Sequence, residues 1–366
     1  MISQQLYTNI IRPVLFRRDP EDVHNVATKT GVLIGKSLHA RALLRGMFLF
    51  RHTALRNTVA GIKFSNPIGL GAGFDKNARL WNVLPEIGFG FAELGSITGE
   101  PCAGNPRPRL FRVPKEKSII VNYGLYNEGS EAIAQRMRAA RFRIPIGFSV
   151  AKTNDPRLST AEGIQDYRKA FLAMHPFGSY TTINVSCPNT ADGQTFGHPE
   201  NLEPLLKAIA KEIQVKPVFL KIKPDMNKVA MREVLAIVDK HHWVSGLIVS
   251  NLTMHRDGLK TSKEELDSLS LKGGLSGLPV KERSTEMIRF VRKNSDKVII
   301  GCGGIFTGKD AYEKIKSGAS LLQLVTSMIY EGPWVVSKIN RELVDLMQQD
   351  GYGRISEVID DVSRGV

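Results

Sequence analysis

From residue 59 onward, short apolar runs alternate with longer amphipathic stretches. The runs are rich in β-branched residues and close on glycine or small polar side chains. That pattern predicts buried strands ending in loops. The first strand spans residues 61–64 and 67–73 and runs into a Gly-rich turn. The others span 90–96, 146–150, 181–185, 218–222, 246–251, 298–305 and 321–327. Strands alternating with helices in this number predict an α/β fold, a closed (β/α)8 TIM barrel. The C-terminal ends of its strands would form the catalytic face.

Residues 1–58 carry a different pattern and are expected to form a small helical extension, with the barrel over 59–366. Leu6, Ile10, Ile11, Val14 and Leu15 recur at helical spacing, and Pro13 interrupts them, so a helix there is short or restarts. Asp19-Pro20-Glu21-Asp22 has the form of a helix start, with Asp19 as cap and Pro20 in the first turn. Val23, Val26, Ala27, Thr30 and Leu33 continue it, and Gly35 is the expected stop. Residues 43–50 are apolar and flanked by Arg41, Arg45, Arg51 and Arg56. This arrangement suits a segment lying in a membrane interface. It equally suits a helical hairpin packed on the barrel.

The polar residues fall at predicted strand ends. Ile183-Asn184-Val185-Ser186-Cys187-Pro188-Asn189-Thr190 follows the fourth strand. Asn184 and Asn189 can each donate and accept, and Cys187 between them can act as base or nucleophile. The same residues also suit a plain turn around a small core thiol. Lys76 follows the first Gly-rich turn, where a cation would meet an anionic ligand; a surface lysine is the simpler alternative. Lys221 lies inside the apolar fifth strand, and burying an ammonium is costly unless something anionic or electron-rich receives it. The sixth strand ends in Asn251. Gly303-Gly304 and Thr326-Ser327, after strands seven and eight, stand where such barrels hold a phosphate. Residues 273–277 add a third Gly-rich loop after strand six.

Composition narrows the classes. Of 366 residues, 42% are hydrophobic and 23% charged, which is ordinary for a globular chain. Cys102, Cys187 and Cys302 are the only cysteines; they match neither a disulfide framework nor a zinc motif, and no metal is expected. No apolar run reaches the roughly 18 residues of a membrane span. The N-terminus lacks a signal peptide's order. The net charge of +14 favours anionic partners such as lipid or small anions. No nucleic-acid module is present, so nucleic acid is not an expected partner. Nothing in the sequence sets an oligomeric state.

The chain resembles class 2 dihydroorotate dehydrogenases, the membrane-associated, quinone-linked flavoproteins, over nearly its whole length. The match lies in Arg12-Pro13-x-Leu15-Phe16-x-x-Asp19-Pro20-Glu21-x-x-His24 and Asn66-Pro67-x-Gly69-Leu70-x-Ala72-Gly73-Phe74-Asp75-Lys76. It continues in residues 104–112, the Asn184 stretch, residues 273–277 and Gly303-Gly304-Ile305. The resemblance implies FMN at the barrel mouth and oxidation of dihydroorotate to orotate in pyrimidine biosynthesis, with electrons passed to a quinone. It makes Cys187 the base and places Lys76, Asn122, Asn184, Asn189 and Asn251 around the substrate. Ala72, Gly73, Ser96, Ser149, Lys221, Ser250, Gly274, Gly303, Gly304, Thr326 and Ser327 would hold the FMN. His24 and Arg112 would stand along a quinone tunnel under the N-terminal helices. It also implies a peripheral membrane enzyme, and the lack of a transit segment at the N-terminus makes the cytoplasmic side of a bacterial membrane the expected place. Cys102 and Cys302 read as structural.

Four positions depart from the family pattern. Cys187 stands where class 2 enzymes carry Ser, and cysteine is the class 1 base. Val121 replaces an expected Asn, with Asn122 one place later. Ser149 replaces an Asn near the flavin, and Val325 a Tyr between flavin and quinone. These changes keep two alternatives open: the same reaction with fumarate or NAD as acceptor, and a flavin-binding membrane-surface protein without turnover.

Overall fold

The computed structural model describes residues 4–187, 196–212, 215–270 and 272–365. Eight parallel strands close into a barrel: β1 (Ile68–Leu70), β2 (Phe91–Thr98), β3 (Ile146–Ala151), β4 (Tyr180–Asn184), β5 (Val218–Ile222), β6 (Val244–Val249), β7 (Val298–Cys302) and β8 (Leu321–Leu324). Each strand pairs with its sequence neighbours and β8 pairs with β1.

Alternation along the strands builds the interior in layers. Phe91, Tyr180, Phe219, Ile248, Ile300 and Leu321 form the lower layer. Its rings need space opposite them. A Cβ on Gly69 would lie 2.4 Å from Phe91, and one on Gly147 would lie 2.1 Å from Tyr180. Two residues further along β2, β4, β5 and β8, the inward positions become Glu93, Thr182, Lys221 and Gln323, all buried. A polar layer therefore lies on the apolar one and under the mouth.

The first predicted strand divides in two. Ile62–Phe64 pairs antiparallel with Asn57–Val59 in a hairpin whose Val59 and Phe64 close the bottom of the barrel. The chain breaks because Pro67 has no N–H to donate, and buried Asn66 turns it by accepting from Ile68 N and donating to Gly88 O. Strands six to eight also end earlier than expected, and Thr326–Glu331 is helical. A second sheet, not expected from the hydrophobic pattern, covers the mouth. Leu110–Val113, Ser118–Val121 and Gly274–Leu275 pair antiparallel there.

The N-terminal helices lie across one side of the mouth. Pro13 does not end the first of them. A π-turn over Tyr7–Ile11, closed by Arg12 N–H on Tyr7 O, leads directly into Arg12–Phe16. Helix α1 (Pro20–Lys36) begins at Asp19, whose carboxylate accepts from Glu21 N and Asp22 N, as the sequence predicts. Gly35 is not its stop. It is buried within the helix, where a Cβ would lie 3.2 Å from Asn82. Helix α2 (Leu38–Phe48) starts at Ser37. Residues 43–50 divide between the two expected environments. Phe48 is buried against Trp334 and Arg45 pairs with buried Glu86, whereas Leu43 is exposed.

Two sequence motifs about 90 residues apart in the chain meet here. The guanidinium of Arg109 donates to buried Glu21 at 2.8 Å, and Arg107 reaches Asp19, Glu21 and Asp22. The second sheet and α1 are thereby joined.

Candidate active site

The strand ends, the second sheet and α1 enclose a cleft of about 1290 Å³, counting the part open to solvent. Ala72, Gly73, Lys76, Ser96, Asn184, Cys187, Lys221, Asn251, Gly303, Gly304, Thr326, Ser327 and His24 all line it. Residues that the sequence placed separately are thus brought to one space by the barrel.

One side is polar. Ser186, which the sequence reading left without a role, links the two asparagines. Its hydroxyl donates to Asn184 Oδ1 at 2.8 Å and accepts from Asn251 Nδ2 at 2.8 Å. Asn184 Nδ2 also donates to Ser96 Oγ at 2.8 Å. These bonds fix which carboxamide edges face the cleft. Cys187 follows directly and is half-buried. The ammonium of Lys76 lies 3.9 Å from the ring centre of Tyr123 and 3.4 Å from His24 Nε2. Burial, offset in part by Glu21, pushes its pKa down to about 8. Burial and the neighbouring Lys76 push His24 down to about 3, so the imidazole is neutral at pH 7.

The opposite arm is apolar, walled by Leu110, Ile119, Phe306, Val325 and Ile329. It runs toward Phe16 of the N-terminal helices, which packs on the same cluster. The floor is the polar layer. Glu93 accepts from Thr182 Oγ1 at 2.7 Å and Gln323 Nε2 at 3.1 Å, and Lys221 Nζ lies 3.9 Å from its other oxygen.

Several expected ligands stand elsewhere among the described residues. Asn122 does not line the cleft; its carboxamide oxygen accepts from Asn105 Nδ2 at 2.9 Å, and Val121 takes the lining position. Ser149 is buried behind Ser96, with the two hydroxyls 2.7 Å apart. Ser250 is fully buried, and Gly274 is held in the second sheet, leaving Ser276 and Gly277 to line the cleft. Arg112 lies over the Phe16 ring and donates to Arg18 O at 2.8 Å, outside the cleft lining. Cys302, expected to be structural, lines the floor. Cys102 is buried, with its thiol against Gly124 O. Asn189 lies outside the described residues. Among the described residues, no group of acidic, His and Cys side chains is arranged to hold a metal.

The cleft fits a flat, phosphorylated cofactor. Ser327 Oγ is buried without a hydrogen-bond partner among the described residues, so it is open to a ligand. Backbone approaches closely where Gly277 and Gly304 line the cleft. Gly304 has φ +69° and a Cβ there would lie 2.4 Å from Lys281; Gly277 has φ +84° and would meet Lys117 O at 2.3 Å. Only glycine is tolerated at such positions.

Residues 54–347 match the family model for dihydroorotate dehydrogenase. A curated relative from Christiangramia forsetii, a dihydroorotate dehydrogenase (quinone), is 38% identical over 93% of this chain and 99% of its own. One of the same name from Gloeobacter violaceus is 38% identical over 95% of this chain and 97% of its own. The structure of the Eimeria tenella dihydroorotate dehydrogenase in complex with ferulenol aligns with a TM-score of 0.79 at 29% identity, covering 93% of this chain and 95% of that one. Agreement over this length, together with the closed barrel and the lined cleft, identifies the chain as a member of the dihydroorotate dehydrogenase family.

Proposed function

We propose that the protein oxidises dihydroorotate to orotate for pyrimidine synthesis, using FMN, and passes the electrons to a quinone. The observation that carries this reading is one cleft with a polar side, an apolar arm and a floor between them. Relatives named dihydroorotate dehydrogenase (quinone) support it. A helical extension and a barrel form its two functional parts, and the division expected at residue 58 falls earlier, because the strand Asn57–Val59 belongs to the hairpin under the barrel.

Asn184 and Asn251, oriented by Ser186, present amide edges to the pyrimidine. The ammonium of Lys76 meets the substrate carboxylate. Cys187 takes the proton from C5. A thiol ionises far more readily than the hydroxyl of a serine, so Cys187 needs less activation. When bound, FMN would supply the hydride acceptor for C6 and a two-electron carrier toward the quinone. Ala72, Gly73, Ser96 and Lys221 would hold its ring. Gly303, Gly304, Thr326 and Ser327 would hold its phosphate, with Ser276 and Gly277 completing the cradle. The quinone enters along the apolar arm, and His24 stands at the junction of the two sides. Val325 widens that arm where the family carries Tyr.

The N-terminal layer supports docking on a membrane surface on the cytoplasmic side. Ile10, Val14, Val26, Leu33, Leu38 and Leu43 are exposed, with lysines and arginines among them. No helix among the described residues is long and apolar enough to cross a bilayer.

The test is an anaerobic absorbance spectrum of the purified protein. Bleaching of the flavin by dihydroorotate and recovery on adding quinone are expected. A colourless protein that takes up no FMN would overturn the proposal, and recovery with fumarate but not with quinone would overturn the acceptor.

A further inference from the structure

Glu93 has no part in the proton or hydride transfer, yet it stands directly under the cleft floor. It is fully buried on β2, between the apolar layer and the mouth. A carboxylate is held in such a place only by hydrogen bonds and an opposite charge. Thr182 and Gln323 donate to Oε2, fixing it to β4 and β8. Oε1 stands beside the Tyr180 hydroxyl and 3.9 Å from Lys221 Nζ. Lys221 therefore has Glu93 on one side and the cleft on the other.

The neighbouring groups do not compete as anions. Burial raises the pKa of the Cys302 thiol, Lys221 pulls it back and Glu93 raises it further. Burial likewise raises that of Tyr180, with Glu93 adding to the shift. The floor thus carries one cation with one anion behind it. Such a pair acts on a ring above it as a dipole with its positive end upward, which is weaker than a bare ammonium.

We propose that Glu93 is a positioning residue for Lys221, anchoring its ammonium at the floor and moderating its charge, and that it thereby sets the reduction potential of the bound flavin. The inference rests on the flavin-dependent reading above. Reduction places negative charge on the ring. Removing the carboxylate's charge leaves the ammonium unopposed and favours the reduced form.

The test compares the FMN-loaded wild type with Glu93→Gln and Glu93→Asp by anaerobic potentiometric titration, with flavin content and melting temperature measured alongside. Glu93→Gln should shift the equilibrium toward reduced flavin at least tenfold, about 30 mV for a two-electron couple. Glu93→Asp keeps the charge and should return most of the way to the wild-type value. An unchanged potential in a fully loaded Glu93→Gln protein overturns the inference, and so does an equal shift in Glu93→Asp, which would mark a packing role. Should Glu93→Gln fold or load too poorly to titrate, the double variant Glu93→Gln/Lys221→Met decides. Recovery of the flavin-free melting temperature supports the anchoring pair, and failure equal to the single variant overturns it. A wild-type protein without flavin sinks the cofactor reading itself, an outcome distinct from all of these.

Discussion

Inside the barrel, Phe91, Tyr180 and Phe219 are closed off by neighbouring strands, while across the mouth Val26, Leu33, Leu38 and Leu43 stand in water. The barrel completes its own core, and each large ring has a glycine opposite it. The helical layer does not complete one. It packs Val32, Ile34, Leu44 and Phe50 on the barrel's core and is tied down by polar and ring contacts, among them Arg109–Glu21, Arg45–Glu86 and Phe48 on Trp334. The difference separates two kinds of stability. One is intrinsic to a closed sheet. The other depends on contacts borrowed from the barrel and on whatever surface covers the exposed side chains.

The sharpest test of this division is Cys187→Ala. With the chemistry confined to the barrel mouth, flavin reduction by dihydroorotate should slow about 10²–10⁴-fold, while oxidation of pre-reduced flavin by quinone stays near normal. Stopped-flow measurement of each half-reaction separates the two. Cys187→Ser, nearly isosteric, should keep the fold and move the pH profile of the first half-reaction upward. Kinetics unchanged across pH would remove Cys187 from the role of base.

Glu21→Gln should break one of these contacts instead. It leaves the Arg109 guanidinium buried without its counter-ion, at a cost of about 3–5 kcal/mol. Amide exchange is expected to rise along α1 and in Leu110–Val113, but not in the barrel strands. Uniform loss of protection would show that layer and barrel unfold together.

Acid should act on the same seam, progressively rather than at once. His24 has a folded pKa of about 3 against an ordinary value of 6.5. Between these values the unfolded chain binds more protons, so stability is complete above about pH 6.5 and declines as pH falls toward 3. His24→Gln should flatten that part of a melting-temperature profile. Lys76 gives the opposite window. Its folded pKa of about 8 lies below the ordinary 10.5, so its contribution to stability rises with pH between the two. Its charge is lost over the same range, and KM for dihydroorotate should climb above about pH 8. A flat KM there would remove Lys76 from the carboxylate site.

The smallest effect on folding is expected from Leu33→Ser with Leu43→Ser. Both side chains are exposed, so the melting temperature should hold to within about 0.5 kcal/mol of stability. Co-sedimentation with lipid vesicles should nevertheless fall. Unchanged sedimentation would show that these residues do not face a membrane.

The barrel was legible because its strands are buried on both faces and end in recognisable polar residues. Lys221 stood out because its charge conflicts with its neighbours, and Asn184, Cys187 and Asn251 because strands rarely close on such groups without use. What escaped detection depends on pairing across long separations. Gly274–Leu275 becomes a strand only by meeting Ser118–Val121, about 150 residues earlier. Ser186 gains its role only once Asn251 is brought beside Asn184. Glu93 looks like an ordinary residue of a strand until alternation turns it toward Lys221. Asn122 misled because proximity in sequence to Val121 suggested an exchange of roles, whereas Asn105 occupies its side chain.

The contact between Lys76 and His24 has a consequence for kinetics. One atom pair, 3.4 Å apart, joins the group that would grip the donor's carboxylate to the wall that the acceptor would pass. Whatever neutralises or displaces the lysine alters the field felt by the imidazole. Donor and acceptor therefore need not overlap to sense one another, and inhibitors aimed at either end should change each other's affinity.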